Sequence, residues 1–346
     1  MKATSETCLK VGLVGAGAMG AHHARILAED VGGCTLSAIA DADPDRAQKL
    51  AASLGVFRLE GEGIALVRDP SIDAIVIASP DATHFDLVME CLKQRKPVLC
   101  EKPLAATSDQ CRQIATAEIS GGKRLVQVGF MRRFDPGYLD MKTSLEAGTF
   151  GQPLLMHCTH RVAKSLHYLN ADTIPLSSAV HEIDIARFLL GEEFTKASVR
   201  MSRPPRHAPA RAPQYYLLET ASGVLVDIEI FVDAQYGYDV RAELVMETGT
   251  MSLVPPNPSS VRSSGMAGKI VSEDWIRRFD AAYKNQARAW VSSVRTGMPA
   301  GASAWDGYVA TRFAEECVTS LKEQSEQSME VEATPAFYLE APEQLQ

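Results

Sequence analysis

Leu9-Lys10-Val11-Gly12-Leu13-Val14-Gly15-Ala16-Gly17-Ala18-Met19-Gly20 is the stretch whose reading decides the fold. Leu9–Val14 is an apolar run of strand length. Gly15, Gly17 and Gly20 follow at G-x-G-x-x-G spacing, and helical periodicity continues over Ala18–Glu29. In that order the glycines have separate tasks: Gly15 permits the tight turn, Gly17 lets backbone approach a pyrophosphate, and Gly20 lets helix pack on strand. The N–H groups of Ala18 and Met19 then open a helix toward phosphate charge, with Ala16 completing the turn. A lone glycine fingerprint is equally an ordinary turn. The second strand, Thr35–Asp41, ends on an acidic residue, and Asp41 is placed to accept hydrogen bonds from an adenosine ribose.

Outward from this turn, strand and helix alternate over about the first 125 residues. Helices are expected at Pro44–Leu54, His84–Gln94 and Ser108–Ser120, and strands at Ile72–Ala78, Val98–Cys100 and Leu125–Gly129. This βαβ order predicts a parallel sheet with helices on both faces, the Rossmann arrangement. Beyond Gly129 the pattern changes. Strands are expected at Leu154–Arg161, Lys196–Met201, Tyr215–Thr220, Val224–Phe231, Val240–Glu247 and Thr250–Leu253, and a helix at Ala179–Leu190 closed by Gly191. They read as an antiparallel or mixed sheet with one helix against it. Arg203–Pro213 reads as a surface loop, and Trp275–Thr296 and Trp305–Glu323 as closing helices. The expected division is a nucleotide domain over 1–128, a substrate and oligomerisation domain over 129–330, and a tail over 331–346.

Composition narrows the function. The 346 residues carry a net charge of −8, which argues against nucleic acid as the main partner. The seven cysteines are odd in number and form no C-x-x-C, so reduced thiols of a cytoplasmic protein fit better than zinc or a disulfide framework. No apolar stretch approaches a membrane span, so no membrane partner is expected. Lys2 and Lys10 ahead of Val11–Ala21 mimic a signal peptide, but the glycines in register assign that stretch to strand, turn and helix.

Asp41 also selects the cofactor. A carboxylate there repels a 2′-phosphate, and Ala42-Asp43-Pro44 supplies no cation to receive one, so NAD is expected over NADP. Ser79, Pro80 and His84, after the Ile72–Ala78 strand, are assigned to the same cofactor rim. So are Glu101 and Lys102, which end the Val98–Cys100 strand in Glu101-Lys102-Pro103. At that carboxyl edge the Lys102 ammonium can hold a substrate hydroxyl and stabilise alkoxide character as hydride leaves. His181 and Asp184 share a face of the next domain's helix, and a histidine is a suitable base for an alcohol proton. Asp184 either orients the imidazole or caps the helix. Spacing alone favours a packed histidine.

Those residues carry a resemblance to the Gfo/Idh/MocA oxidoreductases, and within them to the inositol dehydrogenase branch. It runs from about Leu9 to about Ser320. Its carriers are the GAGAMG turn, Glu101-Lys102-Pro103-Leu104, Val128-Gly129-Phe130-Met131-Arg132-Arg133-Phe134-Asp135, His157-Cys158-Thr159-His160-Arg161, His181-Glu182-Ile183-Asp184, Tyr236-Gly237-Tyr238-Asp239 and Ala304-Trp305-Asp306-Gly307-Tyr308. The resemblance implies a C-terminal α/β domain on an open, mainly antiparallel sheet that often mediates tetramers. It implies NAD-dependent oxidation of a ring hydroxyl of a polyol to a ketone. Lys102 matches the family's catalytic lysine and His181 its proton-handling histidine. Met131, Arg132 and a tyrosine of the Tyr236–Tyr238 pair match residues that line the substrate site. The plainer readings are core packing for Met131, a surface ion pair for Arg132, a strand edge for the tyrosines and a buried anchor for Trp305.

Two positions depart from the branch. Ser177 stands four residues before His181, where the branch has aspartate, and Val162 follows His160-Arg161, where it has asparagine. Serine holds no charge near an imidazolium and valine makes no side-chain hydrogen bond. A pyranose or glycoside is therefore the alternative substrate, and a non-catalytic NAD-binding regulator the alternative class.

Overall fold

The computed structural model describes residues 8–164, 169–253 and 260–339. Lys2 and the tail end at 340–346 lie outside the described residues. The chain divides into two compact units. One takes Met1–Phe134, Ala281–Thr311 and Ala333–Gln346; the other takes Asp135–Asp280 and Arg312–Glu332. The expected division is linear, at 128 and 330; in the structure the first boundary falls at 134, and two later stretches return to the first unit.

In the first unit, β1 (Leu9–Val14), β2 (Cys34–Ala40), β3 (Leu59–Glu60), β4 (Ala74–Ile77), β5 (Val98–Cys100) and β6 (Val126–Val128) form one sheet, ordered β3-β2-β1-β4-β5-β6. Every adjacent pair is parallel. Helices α1 (Ala18–Arg25), α2 (Pro44–Leu54), α3 (Gly63–Arg68), α4 (His84–Lys93) and α5 (Ser108–Gly121) make the connections. Val11, Leu13, Ile39, Ile75 and Val98 are fully buried, as strands covered on both faces require. Strand order reverses between β1 and β4, so ligands are expected outside the carboxyl ends there. Helix α2 shows local sequence at work: Asp43 accepts from the Arg46 N–H, Pro44 occupies the first turn, and Gly55 ends it at φ 68.

The second unit holds α6 (Pro136–Glu146), α7 (Val180–Leu190) and β7 (Pro153–Arg161), β8 (Phe194–Met201), β9 (Gln214–Thr220), β10 (Leu225–Phe231), β11 (Asp239–Met246) and β12 (Thr250–Ser252). With β15 (Gln327–Ser328) these strands run β12-β11-β7-β10-β9-β8-β15. The β7–β10 pair is parallel and its neighbours are antiparallel, giving a mixed, mainly antiparallel sheet. Alternation sends Met156, Cys158, His160, Tyr216, Ile228 and Ile230 to the buried face, while His157, Tyr215 and Leu217 stay on the exposed one. The strands β13 (Ser260–Ser263) and β14 (Met266–Lys269) pair separately. Helices α8 (Trp275–Thr296), α9 (Ala304–Glu323) and α10 (Ala336–Leu339) complete the elements.

Several expectations needed correction. The helix expected over Ala18–Glu29 is helical throughout, but α1 widens to a π-helix over Ile26–Asp30. The elements β3, α3, α6, β13, β14 and β15 went unpredicted. Helix α6 had its signals, Asp135 as cap and Pro136 in the first turn, but it buries little beyond Tyr138 and Met141. The stretch expected as a tail contains α10, where the Tyr338 hydroxyl donates to Glu118 Oε2 at 2.7 Å. The Arg203–Pro213 loop is pinned by an Arg211–Asp233 ion pair of 2.6 Å.

Candidate active site

The cofactor side is built at the carboxyl ends of β1, β2, β4 and β5. Gly15 turns the chain at φ 96, and a Cβ on it would stand 2.6 Å from the Ala78 carbonyl. A Cβ on Gly20 would stand 1.8 Å from the Gly15 oxygen, so helix–strand packing itself demands glycine. Gly17 differs: its backbone is extended, at φ −66 and ψ −169, and a Cβ there would meet nothing within 4 Å. Among the described residues no atom explains glycine at this position, whereas a pyrophosphate lying on the turn does. The chain therefore fits a dinucleotide.

Asp41 is fixed by two backbone donors: Ala16 N–H reaches Oδ2 at 2.6 Å and Asp43 N–H reaches Oδ1 at 2.8 Å. Each carboxylate oxygen keeps a lone pair for a ribose hydroxyl. Arg46 is the nearby cation, 3.7 Å from Asp41 and 3.1 Å from Asp43, so its charge is already countered. These residues, with Gly15, Ser79 and Thr83, line a cavity of about 660 Å³. That lies within the roughly 300–1,000 Å³ of small-molecule sites.

Ser79 and Pro80 are on this wall, but His84 is not. It is fully buried, with Nδ1 2.8 Å from the Pro103 carbonyl and Nε2 2.9 Å from the Ser79 carbonyl. His84 thus ties the Ser79 turn to the turn after Lys102. Glu101 is also buried, with His23 Nε2 at 2.8 Å from Oε1 and the Lys102 N–H at 3.2 Å from Oε2. Burial opposes its ionisation, but the His23 hydrogen bond and the charges of His23 and Lys102 hold the carboxyl below its usual range. Lys102 leads into a cis peptide bond to Pro103. Met131 and Arg132 follow β6 on one helical turn and are 2% and 1% exposed, which removes the surface ion-pair reading of Arg132. Arg133 pairs with Asp306 at 3.0 Å.

The second unit gathers a separate polar cluster. His181 lies in the first turn of α7, with Asp184 one turn later; both are buried. His160, on the inward face of β7, places its ring 6.4 Å from the His181 ring and 5.6 Å from the Tyr238 ring. Its Nδ1 is 3.2 Å from Glu182 Oε2, both side chains being buried. Sequence reasoning quoted His160 and Glu182 but gave them no role; the period of β7 was the available signal. The tyrosine pair separates. Tyr238 joins this cluster, whereas Tyr236 is half-exposed and donates to Asp239 at 2.6 Å while accepting from Arg161 at 3.2 Å. Ser177 precedes α7 with its hydroxyl 3.5 Å from that of Ser178. Val162 exchanges backbone hydrogen bonds with Phe231 and Ala234. No group of metal-binding side chains occurs among the described residues.

Comparison with known proteins agrees with both units. Residues 9–130 match the oxidoreductase family described by its NAD-binding Rossmann fold, and residues 138–252 match the GFO/IDH/MocA C-terminal domain. Inositol 2-dehydrogenase 1 of Saccharopolyspora erythraea is 46% identical over 335 residues, covering 95% of this chain and 99% of that protein. Inositol 2-dehydrogenase of Ralstonia nicotianae is 39% identical over 333 residues, again 95% and 99% of the two chains. Among solved structures, myo-inositol dehydrogenase from Lactobacillus casei in complex with NAD(H) and myo-inositol superposes with a TM-score of 0.90. It is 31% identical and covers 95% of this chain and 99% of its own.

Proposed function

The chain belongs to the GFO/IDH/MocA oxidoreductase family, and from that premise we propose that it oxidises a ring hydroxyl of a cyclitol, myo-inositol or a related inositol, to a ketone. One observation carries the substrate class. The 46% identity extends over 335 residues, so it includes the substrate unit as well as the nucleotide unit. NAD, when bound, supplies the hydride acceptor. Lys102 holds the reacting hydroxyl and stabilises its alkoxide character, and His181 takes the proton. Arg132, Met131, Tyr238 and Asp184 are assigned to the substrate, and Ser177 stands where the branch has a carboxylate. The half-exposed Tyr236 has a weaker case than Tyr238, since its hydroxyl is already engaged on the other side of the sheet. The exposed face of the mixed sheet supports a homotetramer, and seven cysteines with no disulfide among the described residues support the cytoplasm.

A second reading rests on Ser177 and Val162. A pocket that has lost two polar groups discriminates differently among hydroxyls, and a pyranose or glycoside is then the substrate. NADH formation measured across myo-, scyllo- and D-chiro-inositol, D- and L-glucose and other pyranoses decides between them. Turnover of an inositol is expected. Turnover confined to a pyranose selects the second reading, and tight NADH binding without turnover of any polyol selects a regulator. Lys102→Ala is expected to abolish turnover with near-normal NADH affinity; retained kcat removes the lysine from the reaction.

A further inference from the structure

We propose that His23 is a positioning residue for Lys102, an inference that rests on the role given to Lys102 above. His23 lies on α1, the helix that follows Gly17, and is 1% exposed. Its Nε2 meets Glu101 Oε1 at 2.8 Å, and the other oxygen of Glu101 accepts the Lys102 N–H at 3.2 Å. The glycine-turn helix is thereby joined to the lysine through one buried carboxylate.

The space around that carboxylate is closed. A Cβ on Gly129 would stand 2.9 Å from the Glu101 Cα and 3.0 Å from Oε2, so the glycine of Val128-Gly129-Phe130 makes room for Glu101. The Tyr283 ring lies edge-on to His23 at 5.9 Å and the His22 ring tilts against it at 6.5 Å. A buried carboxylate that loses one partner is left with uncompensated charge. Glu101 without His23 therefore turns toward whatever cation is near, and Lys102 is the cation whose charge already acts on it. His23 keeps the carboxylate committed to α1 and to the Lys102 backbone, which fixes the turn from which the lysine side chain starts. His84 secures the far side of the same turn through the Pro103 carbonyl. The phosphate-facing helix and the lysine thus move as one piece, and small errors in the placement of a reacting group are costly in rate.

The test compares His23→Phe, which keeps a ring without the hydrogen bond, with His23→Gln, whose amide nitrogen reaches the place of Nε2. NADH affinity is followed by fluorescence titration, and kcat and KM on the substrate found above. For His23→Phe, kcat is expected to fall about tenfold or more while the NADH Kd stays within about threefold. His23→Gln is expected to recover most of that kcat. Equal losses in both variants, a kcat in His23→Phe within about twofold of wild type, or a loss wholly matched by NADH affinity overturns the proposal. If His23→Phe does not fold, His23→Asn, whose amide falls short of Glu101, replaces it. If the wild-type protein turns over no polyol, it is the proposed function that fails. The reaction of Lys102 with trinitrobenzenesulfonate in the NADH-bound protein, located by mass spectrometry, then carries the test. A rate changed about threefold or more in His23→Phe and restored in His23→Gln supports the proposal, and an unchanged rate overturns it.

Discussion

At the scale of single residues, Gly17 and Gly20 lie three positions apart under different constraints. Gly20→Ala drives a methyl group into the Gly15 carbonyl, 1.8 Å from the ideal Cβ, and is expected to destabilise by about 2 kcal/mol or more, read as a lower Tm. Gly17→Ala meets open space, so Tm is expected to hold while the NADH Kd rises roughly tenfold, because the methyl occupies the approach of the pyrophosphate. A Gly17→Ala protein with normal NADH affinity would take the phosphate off this turn. Asp41 gives a second prediction. Asp41→Ser with Ala42→Arg removes the carboxylate and adds a cation beside Arg46, whose charge Asp43 otherwise offsets. The NADP/NAD ratio of kcat/KM is expected to rise by about 100-fold. An unchanged ratio removes Asp41 from cofactor choice.

At the scale of elements, α3 and α4 are clasped by a charged pair. Arg68 reaches Glu90 with two nitrogens, at 2.9 and 3.2 Å, and Gln94 adds a third donor at 2.8 Å. The Arg68 hydrogen bonds, followed by Gln94, lower the Glu90 carboxyl from 4.5 to about 2. A depressed carboxylate stabilises fully above its unfolded value and loses that contribution as pH falls through its folded one. The Tm advantage of wild type over Glu90→Gln is therefore expected to be full above about pH 4.5 and gone near pH 2. A constant difference across that window would mean the clasp does not titrate. Legibility also differs at this scale. β1, α2 and β5 were read to the residue because apolar period, a capping Asp-Pro and adjoining glycines are local signals, whereas the single helix expected over Trp275–Thr296 is kinked at Phe279, at φ −114 and ψ 21. β3 has two residues and exists through Ile39 and Ala40 alone, so no local pattern announces it. The glycines and Asp41 were equally legible, being ordered by their own turn. The pairs His23–Glu101 and His160–Glu182 join residues 78 and 22 positions apart, and the His84–Pro103 hydrogen bond joins residues 19 apart. Only the completed fold decides that they meet.

At the scale of the whole molecule, the outward face of the mixed sheet leaves Tyr215 and Leu217 exposed side by side on β9. If that face joins copies of the chain, Tyr215→Lys with Leu217→Lys is expected to shift the sedimentation coefficient from a tetramer to a smaller species with the fold intact by circular dichroism. An unchanged assembly would move the interface elsewhere. The nucleotide unit raises a different matter, since it draws chain from both halves of the sequence. The Val128 N–H at the edge of β6 donates to the Ala302 carbonyl at 2.9 Å. During synthesis, β6 leaves the ribosome well before Ala302 exists. The growing polypeptide therefore carries an open sheet edge through about half of translation, the kind of surface on which nascent chains stick to one another. Chaperone demand should fall on this first half, and cutting the gene after codon 128 would make that transient exposure permanent.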